Sequence, residues 1–215
     1  MHYTLSVPEY GYRLLFADVF LLLFIMMGPI KSLGVYAVGT SAMQPSERRL
    51  LAWKVFFSAS VAVLAAGLLG GNLLRKWHID PAVLQAAGGL VFLLVALRLL
   101  LSQYAAAPAA VGGSPPSPAS LAFPVTVPPY AFAAVILLVA LSHGADRTAL
   151  VLAVALLVLG LDLLALMFAP RIVRTLGQTT LSIIGAILGV MQVALALQFV
   201  VGAVIAITAS ALPEL

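Results

Sequence analysis

Proline interrupts two long apolar runs that lie in opposite halves of this chain. Gly28-Pro29-Ile30-Lys31-Ser32-Leu33-Gly34 falls within the run 14–38, and Pro124-Val125-Thr126-Val127-Pro128-Pro129 falls within 121–142. Each run has about the 20 residues that a helix needs to cross a hydrocarbon core. Proline has no N–H and crowds the preceding turn, so each break leaves carbonyls and amides that hydrocarbon cannot satisfy. Such groups must face protein or a wet cavity. A pair of breaks at corresponding places in two halves is the pattern that points to the substrate site of a secondary transporter.

The class follows from composition. With 63% hydrophobic residues, 8% charged and a mean hydropathy of +1.16, the chain has no polar shell to put around a soluble core, and it reads as an integral membrane protein. The net charge of +4 does not indicate nucleic acid, because the eleven basic residues stand singly or in pairs between apolar runs. There is no cysteine, and His2, His78 and His143 share no metal-ligand spacing, so neither a metal nor any other cofactor is expected beyond a coupling proton or sodium ion. The amino terminus, with Glu9 beside Arg13, leads into a run too long for a signal peptide and is expected to be retained.

Six spans are expected, at 14–38, 51–74, 82–101, 121–142, 148–169 and 181–209. Arg75-Lys76-Trp77-His78-Ile79-Asp80-Pro81 reads as a tight polar turn with Pro81 starting the next helix. Residues 102–120, rich in Ala, Pro, Gly and Ser and without charge, read as a flexible linker. The organisation is then a three-helix repeat over 1–101, the linker over 102–120, and a second three-helix repeat over 121–215. Three spans per half make the second half enter the membrane from the opposite side, so the expected fold is all-α with six transmembrane helices in a 3+3 inverted repeat, the first and fourth broken. Ala86-Ala87-Gly88-Gly89 in the third span matches Gly185 and Gly189 in the sixth, a small-residue pattern that lets helices pack closely. One side of the membrane holds Arg48, Arg49, Lys54, Arg98, Arg171 and Arg174; the side of the termini holds Arg13, Arg75, Lys76 and Arg147. Six against four favours both termini outside.

An ionisable group inside hydrocarbon costs about 3 kcal/mol unless it finds water or a partner. Asp18, Lys31 and Asp162 fall inside the spans. Asp162 is the candidate for proton or ion coupling, or for the partner of Lys31 across the bundle; Asp18 is a second coupling candidate, near headgroup level. Ser58, Ser60, Gln85, Gln192 and Gln198 are expected to hydrogen-bond between helices, and Asn72 and His143 to be solvated beside loops.

The stretch 24–35 followed by Gln44-Pro45-Ser46-Glu47-Arg48-Arg49, then Leu74 through Ala86-Ala87-Gly88-Gly89-Leu90, resembles the first half of the MarC family of bacterial and archaeal inner-membrane proteins. Leu121-Ala122-Phe123-Pro124 through Pro129, and Ile184-Gly185 on to Gln198-Phe199-Val200-Val201-Gly202, resemble its fourth and sixth helices. Many members carry Asp-Pro or Asn-Pro where this chain has Gly28-Pro29, and Gly-Pro-Gly where it has Pro128-Pro129-Tyr130; Lys31 and Gly34 also depart from the family pattern. The resemblance implies a multi-pass protein of the cytoplasmic (inner) membrane that transports small neutral amino acids or similar metabolites, near the exporters of the LysE type.

A helix resuming after a break offers amides and a positive dipole end to a carboxylate, and a helix ending there offers carbonyls to a cation. A zwitterionic amino acid suits both. The expected binding set is Gly28, Pro29, Lys31, Ser32 and Gly34 at the first break and Thr126, Pro128, Pro129 and Tyr130 at the second. The two glycines permit close approach, the two hydroxyls hold the substrate backbone, and Tyr130 limits side-chain size. The rival readings are a channel, a sensor without carrier activity, and an intramembrane enzyme. For the last, the spans offer no histidine, no cysteine and no paired carboxylates, so no catalytic residue is assigned. The expected partners are the lipid bilayer and a small-molecule substrate, with no nucleic acid; the sequence carries no expectation of oligomeric state.

Overall fold

Helices and tight turns account for nearly all of what the computed structural model describes, residues 16–102, 125–142 and 144–211, with no strand among them. Helices α1 (Phe16–Met27) and α2 (Pro29–Gly39) are the two pieces of the first broken run. They are followed by α3 (Pro45–Lys76), α4 (Pro81–Ser102) and α5 (Pro129–Ala140). The run Ala145–Ala211 is two helices joined at Gly177, whose φ of 73° and ψ of 159° leave helical space; α6 precedes it and α7 follows it. Five stretches are long and apolar enough to cross a membrane: Val19–Gly39, Pro45–Leu74, Pro81–Arg98, Ala145–Gly177 and Ile183–Ser210. A sixth apolar helix, α5, has 12 described residues; the expected start of its span, like most of the expected linker, lies outside the described residues.

Two helices run past their expected ends. α3 begins at Pro45 rather than near residue 51, because Pro45 suits a first turn and the Glu47 carboxylate accepts the Gln44 N–H at 3.1 Å, the backward half of a capping box. α6 continues through Pro170, and it is Gly177, at a positive φ that costs glycine little, that ends it. The turn after α3 forms as expected. His78 adopts φ 53°, the Ile79 N–H donates to the Leu74 carbonyl at 3.0 Å, and Asp80 Oδ1 accepts the Ala82 N–H at 2.7 Å to start α4.

The core gathers on α1, α2, α3, α5 and α6, where Leu23, Tyr36, Val55, Val63, Tyr130 and Leu159 are almost completely buried. The exterior is apolar too: Leu90, Leu94 and Leu101 on α4 and Ile183, Ile187, Val201 and Val204 on α7 are exposed, as a lipid-facing surface requires. Without water to drive them together, the helices meet at small residues. A Cβ placed on Gly89 of α4 would lie 3.0 Å from Phe199 Cβ and 3.1 Å from the Val200 backbone N of α7. On α3, Gly67 faces Leu152 of α6 and Gly70 faces Ile136 of α5, with distances of 2.6 and 2.5 Å to the same imagined atom. In chain order the proline-started α2 and α5 are each followed by a long helix and then by another, and these last two, α4 and α7, pack on each other.

A candidate substrate site between the broken helices

In an α-helix, the carbonyl of residue i accepts from the N–H of residue i+4. Pro29 has no N–H, so the Ile25 carbonyl lacks a partner within its own helix whatever the chain does around it. Gln192 of α7 fills the vacancy, its Nε2 donating to that carbonyl at 2.8 Å. The next carbonyl, of Met26, accepts from the Tyr130 hydroxyl of α5 at 3.3 Å. Gln192 and Tyr130 are 2% and 1% exposed, so both bonds lie in the interior. Between α1 and α2, Gly28 is extended (φ −75°, ψ 164°), and a Cβ on it would sit 2.1 Å from the Phe24 carbonyl oxygen, a space no side chain can enter.

The second break meets the first through a carboxylate. Asp162, on α6, is 2% exposed. Its Oδ1 lies 2.5 Å from Ser32 Oγ, in the first turn after Pro29, and its carboxyl also hydrogen-bonds the side chain of Thr126, three residues before Pro129. Ser32 Oγ lies 2.9 Å from the Pro29 carbonyl as well. A hydroxyl has one proton, so Ser32 donates either to an ionised Asp162 or, when Asp162 is protonated and donates to it, to Pro29. The protonation state of Asp162 therefore decides which way the hydrogen bonds run at the break.

Ser32, Thr126 and Asp162, named from the sequence, come together here, and Pro29 and Pro128 flank them as helix starts: each is at the first turn or N-cap of its helix, and neither helix has a side-chain cap. The remaining residues of the expected set are spread differently. Gly34 is exposed on α2, with nothing within 4 Å of an added Cβ. Pro129 is exposed while Pro128 is buried. Tyr130 does not line an open mouth: its ring stacks on Phe92 with centroids 4.3 Å apart, and it closes the gap between the breaks. The crevice beside it, lined by Gln85, Gly88, Ala133 and Phe199 among others, is too narrow for a water molecule. The side chains of Lys31 and Asp18 lie outside the described residues, and His143 does too. Gln85 does bridge helices, donating to the Phe199 carbonyl at 3.1 Å, whereas Ser58 bonds within its own helix, Ser60 Oγ is buried without a described partner, and Gln198 is exposed.

Gln192 hydrogen-bonds between helices as expected, but sequence reasoning did not name the Ile25 carbonyl as its partner, and it overlooked Phe92. The signal for Gln192 was present in part: proline at 29 orphans the carbonyl at 25, and a glutamine inside a span is a donor long enough to reach it. Among the described residues no three His, Asp or Glu side chains cluster as a metal site. Set against known proteins, residues 14–208 match the model of a family described as MarC family integral membrane protein. No curated protein and no solved structure matches.

Proposed function

Since the chain belongs to the MarC family of integral membrane proteins, we propose that it is a secondary carrier of small neutral amino acids or similar small metabolites, working by alternating access. The observation that carries this reading is the buried Asp162 carboxyl, hydrogen-bonded by one hydroxyl from each broken helix. A buried carboxyl held by two hydroxyls is a set of partners that a substrate can exchange for its own. An arriving ammonium replaces the Ser32 and Thr126 hydroxyls as the partner of Asp162, and the substrate carboxylate takes those hydroxyls and the first-turn amides of α2 and α5. The Tyr130–Phe92 stack is the wall that keeps the bound side chain small. Opening requires Tyr130 to leave the Met26 carbonyl.

Ion coupling follows from the same carboxyl. A proton on Asp162 satisfies it when the site is empty and leaves when an ammonium takes its place, which ties substrate movement to proton movement in the opposite direction. The matched order of helices in the two halves suits an inverted repeat, which supplies the two alternate openings. We place the protein in the cytoplasmic membrane with both termini outside, from the basic-residue balance of the loops.

The test is counterflow of labelled alanine, glycine or serine in vesicles containing the purified protein, measured across pH. The carrier reading expects saturation with substrate. Asp162→Asn should abolish the pH dependence of exchange and weaken substrate binding. Unsaturable flux would favour a channel, and an unchanged pH profile would remove Asp162 from coupling.

A further inference from the structure

Away from the breaks, a pocket of about 220 Å³ opens where the start of α3 meets the end of α6. Arg48, Arg49 and Arg171 contribute three cationic side chains to it, while Met167, Phe168 and Pro170 form an apolar flank. Pro45, the first residue of α3, completes the lining, so the positive end of that helix adds to the same field. The nearest acid in sequence, Glu47, is occupied with the Gln44 N–H at 3.1 Å. Arginine forks suit the paired oxygens of a phosphate, and a hydrophobic flank suits what a free phosphate lacks.

The pocket also lies at a telling level. The stretch Pro45–Leu74 has 30 residues and Ala145–Gly177 has 33, lengths of about 45 and 50 Å against a hydrocarbon core of about 30 Å. The first turn of α3 and the last turns of α6 therefore emerge on the same side into the headgroup layer. Phe168, 47% exposed, stands there with an apolar ring beside the guanidinium groups.

We propose that this pocket is a binding site for the phosphodiester headgroup of an anionic phospholipid, held by Arg48, Arg49 and Arg171 with its acyl chains beside Met167 and Phe168. An occupant would join two elements that matter to the breaks. The Tyr36 hydroxyl of α2 donates to the Arg48 carbonyl at 2.5 Å, and Arg171 stands on the helix that carries Asp162. The lipid would thus fix α2 and α3 against α6 on one face of the membrane.

The purified full-length protein, delipidated in neutral detergent, would be titrated with phosphatidylglycerol, with phosphatidylcholine and with inorganic phosphate, reading retained lipid by native mass spectrometry and the shift in melting temperature. Phosphatidylglycerol should be retained and should stabilise, and the other two should not. At about a fivefold loss per arginine, the variant Arg48→Gln/Arg49→Gln/Arg171→Gln should bind roughly a hundredfold more weakly. Arg171→Gln alone, about fivefold weaker, keeps the test open if the triple variant fails to fold, and Lys76→Gln, at the other end of α3, should change nothing. Equal retention of phosphatidylglycerol by the arginine variants, equal retention of phosphatidylcholine, or an equal loss in Lys76→Gln would overturn the site. The same stabilisation by inorganic phosphate would overturn the lipid as its occupant.

Discussion

Replacing Gln192 by leucine removes the donor that reaches the Ile25 carbonyl at 2.8 Å and changes side-chain volume little. Interhelical hydrogen bonds in membranes average only about 0.6 kcal/mol, because a group that loses one partner in the bilayer usually finds another. Here the usual substitute is missing. The residue four along from Ile25 is Pro29, so the carbonyl has no donor in its own helix, and leaving it unmet in the interior should cost about 1–2 kcal/mol, within the range for an unsatisfied buried group. The assay is equilibrium unfolding in mixed micelles with increasing denaturing detergent, fitted for the free energy of each variant. The decisive arm is a double-mutant cycle. Pro29→Ala restores an N–H in the right place, and Gly28 can adopt helical angles, so in that background Gln192→Leu should cost close to nothing. A coupling of about 1–2 kcal/mol is therefore expected. If Gln192→Leu destabilises the Pro29→Ala variant as much as it destabilises the protein with Pro29 in place, the carbonyl is not what Gln192 is there to satisfy.

The close packing of α4 on α7 gives a second prediction: Gly89→Val should destabilise by about 1–3 kcal/mol, since the added atoms meet the Val200 backbone N at 3.1 Å and backbone cannot step aside. Gly71→Ala is its control; the nearest atom to the new Cβ is Val139 Cγ1 at 3.9 Å, so stability in the same unfolding assay should hold or rise by up to about 1 kcal/mol. Pro129→Ala should lower counterflow more than it lowers the amount of folded protein in the membrane, both measured on the same vesicles; equal losses would mean that the proline serves packing alone.

Much of the architecture could be read from residues alone, and for a reason that membranes supply. Hydrocarbon tolerates apolar helices and little else, so the runs starting near 14, 51, 82, 148 and 181 had to be helical, and each carries a stretch long enough to span, the first as the two pieces α1 and α2. Polar ends were less legible. The first turn of α3 and the last turns of α6 lie beyond the apolar runs, where water permits helix and loop alike, and only local capping and the angles at Gly177 settle where they stop. Gly34 is a similar case: sequence records that a glycine is present, and the packing decides that α2 leaves it exposed.

By itself the sequence determined that this chain lives in a membrane, that proline breaks two of its helices, and that the Ile25 carbonyl must look outside its own helix for a donor. Those follow from solvation and from covalent structure, which hold in any fold. Only the tertiary structure decided that Gln192 supplies that donor from 167 residues away, that Tyr130 closes on Met26, and that hydroxyls on either side of the two breaks meet at Asp162. Such pairings depend on how helices far apart in the chain rotate and pack, and in a bilayer, where every face is apolar, hydropathy does not record which face turns inward.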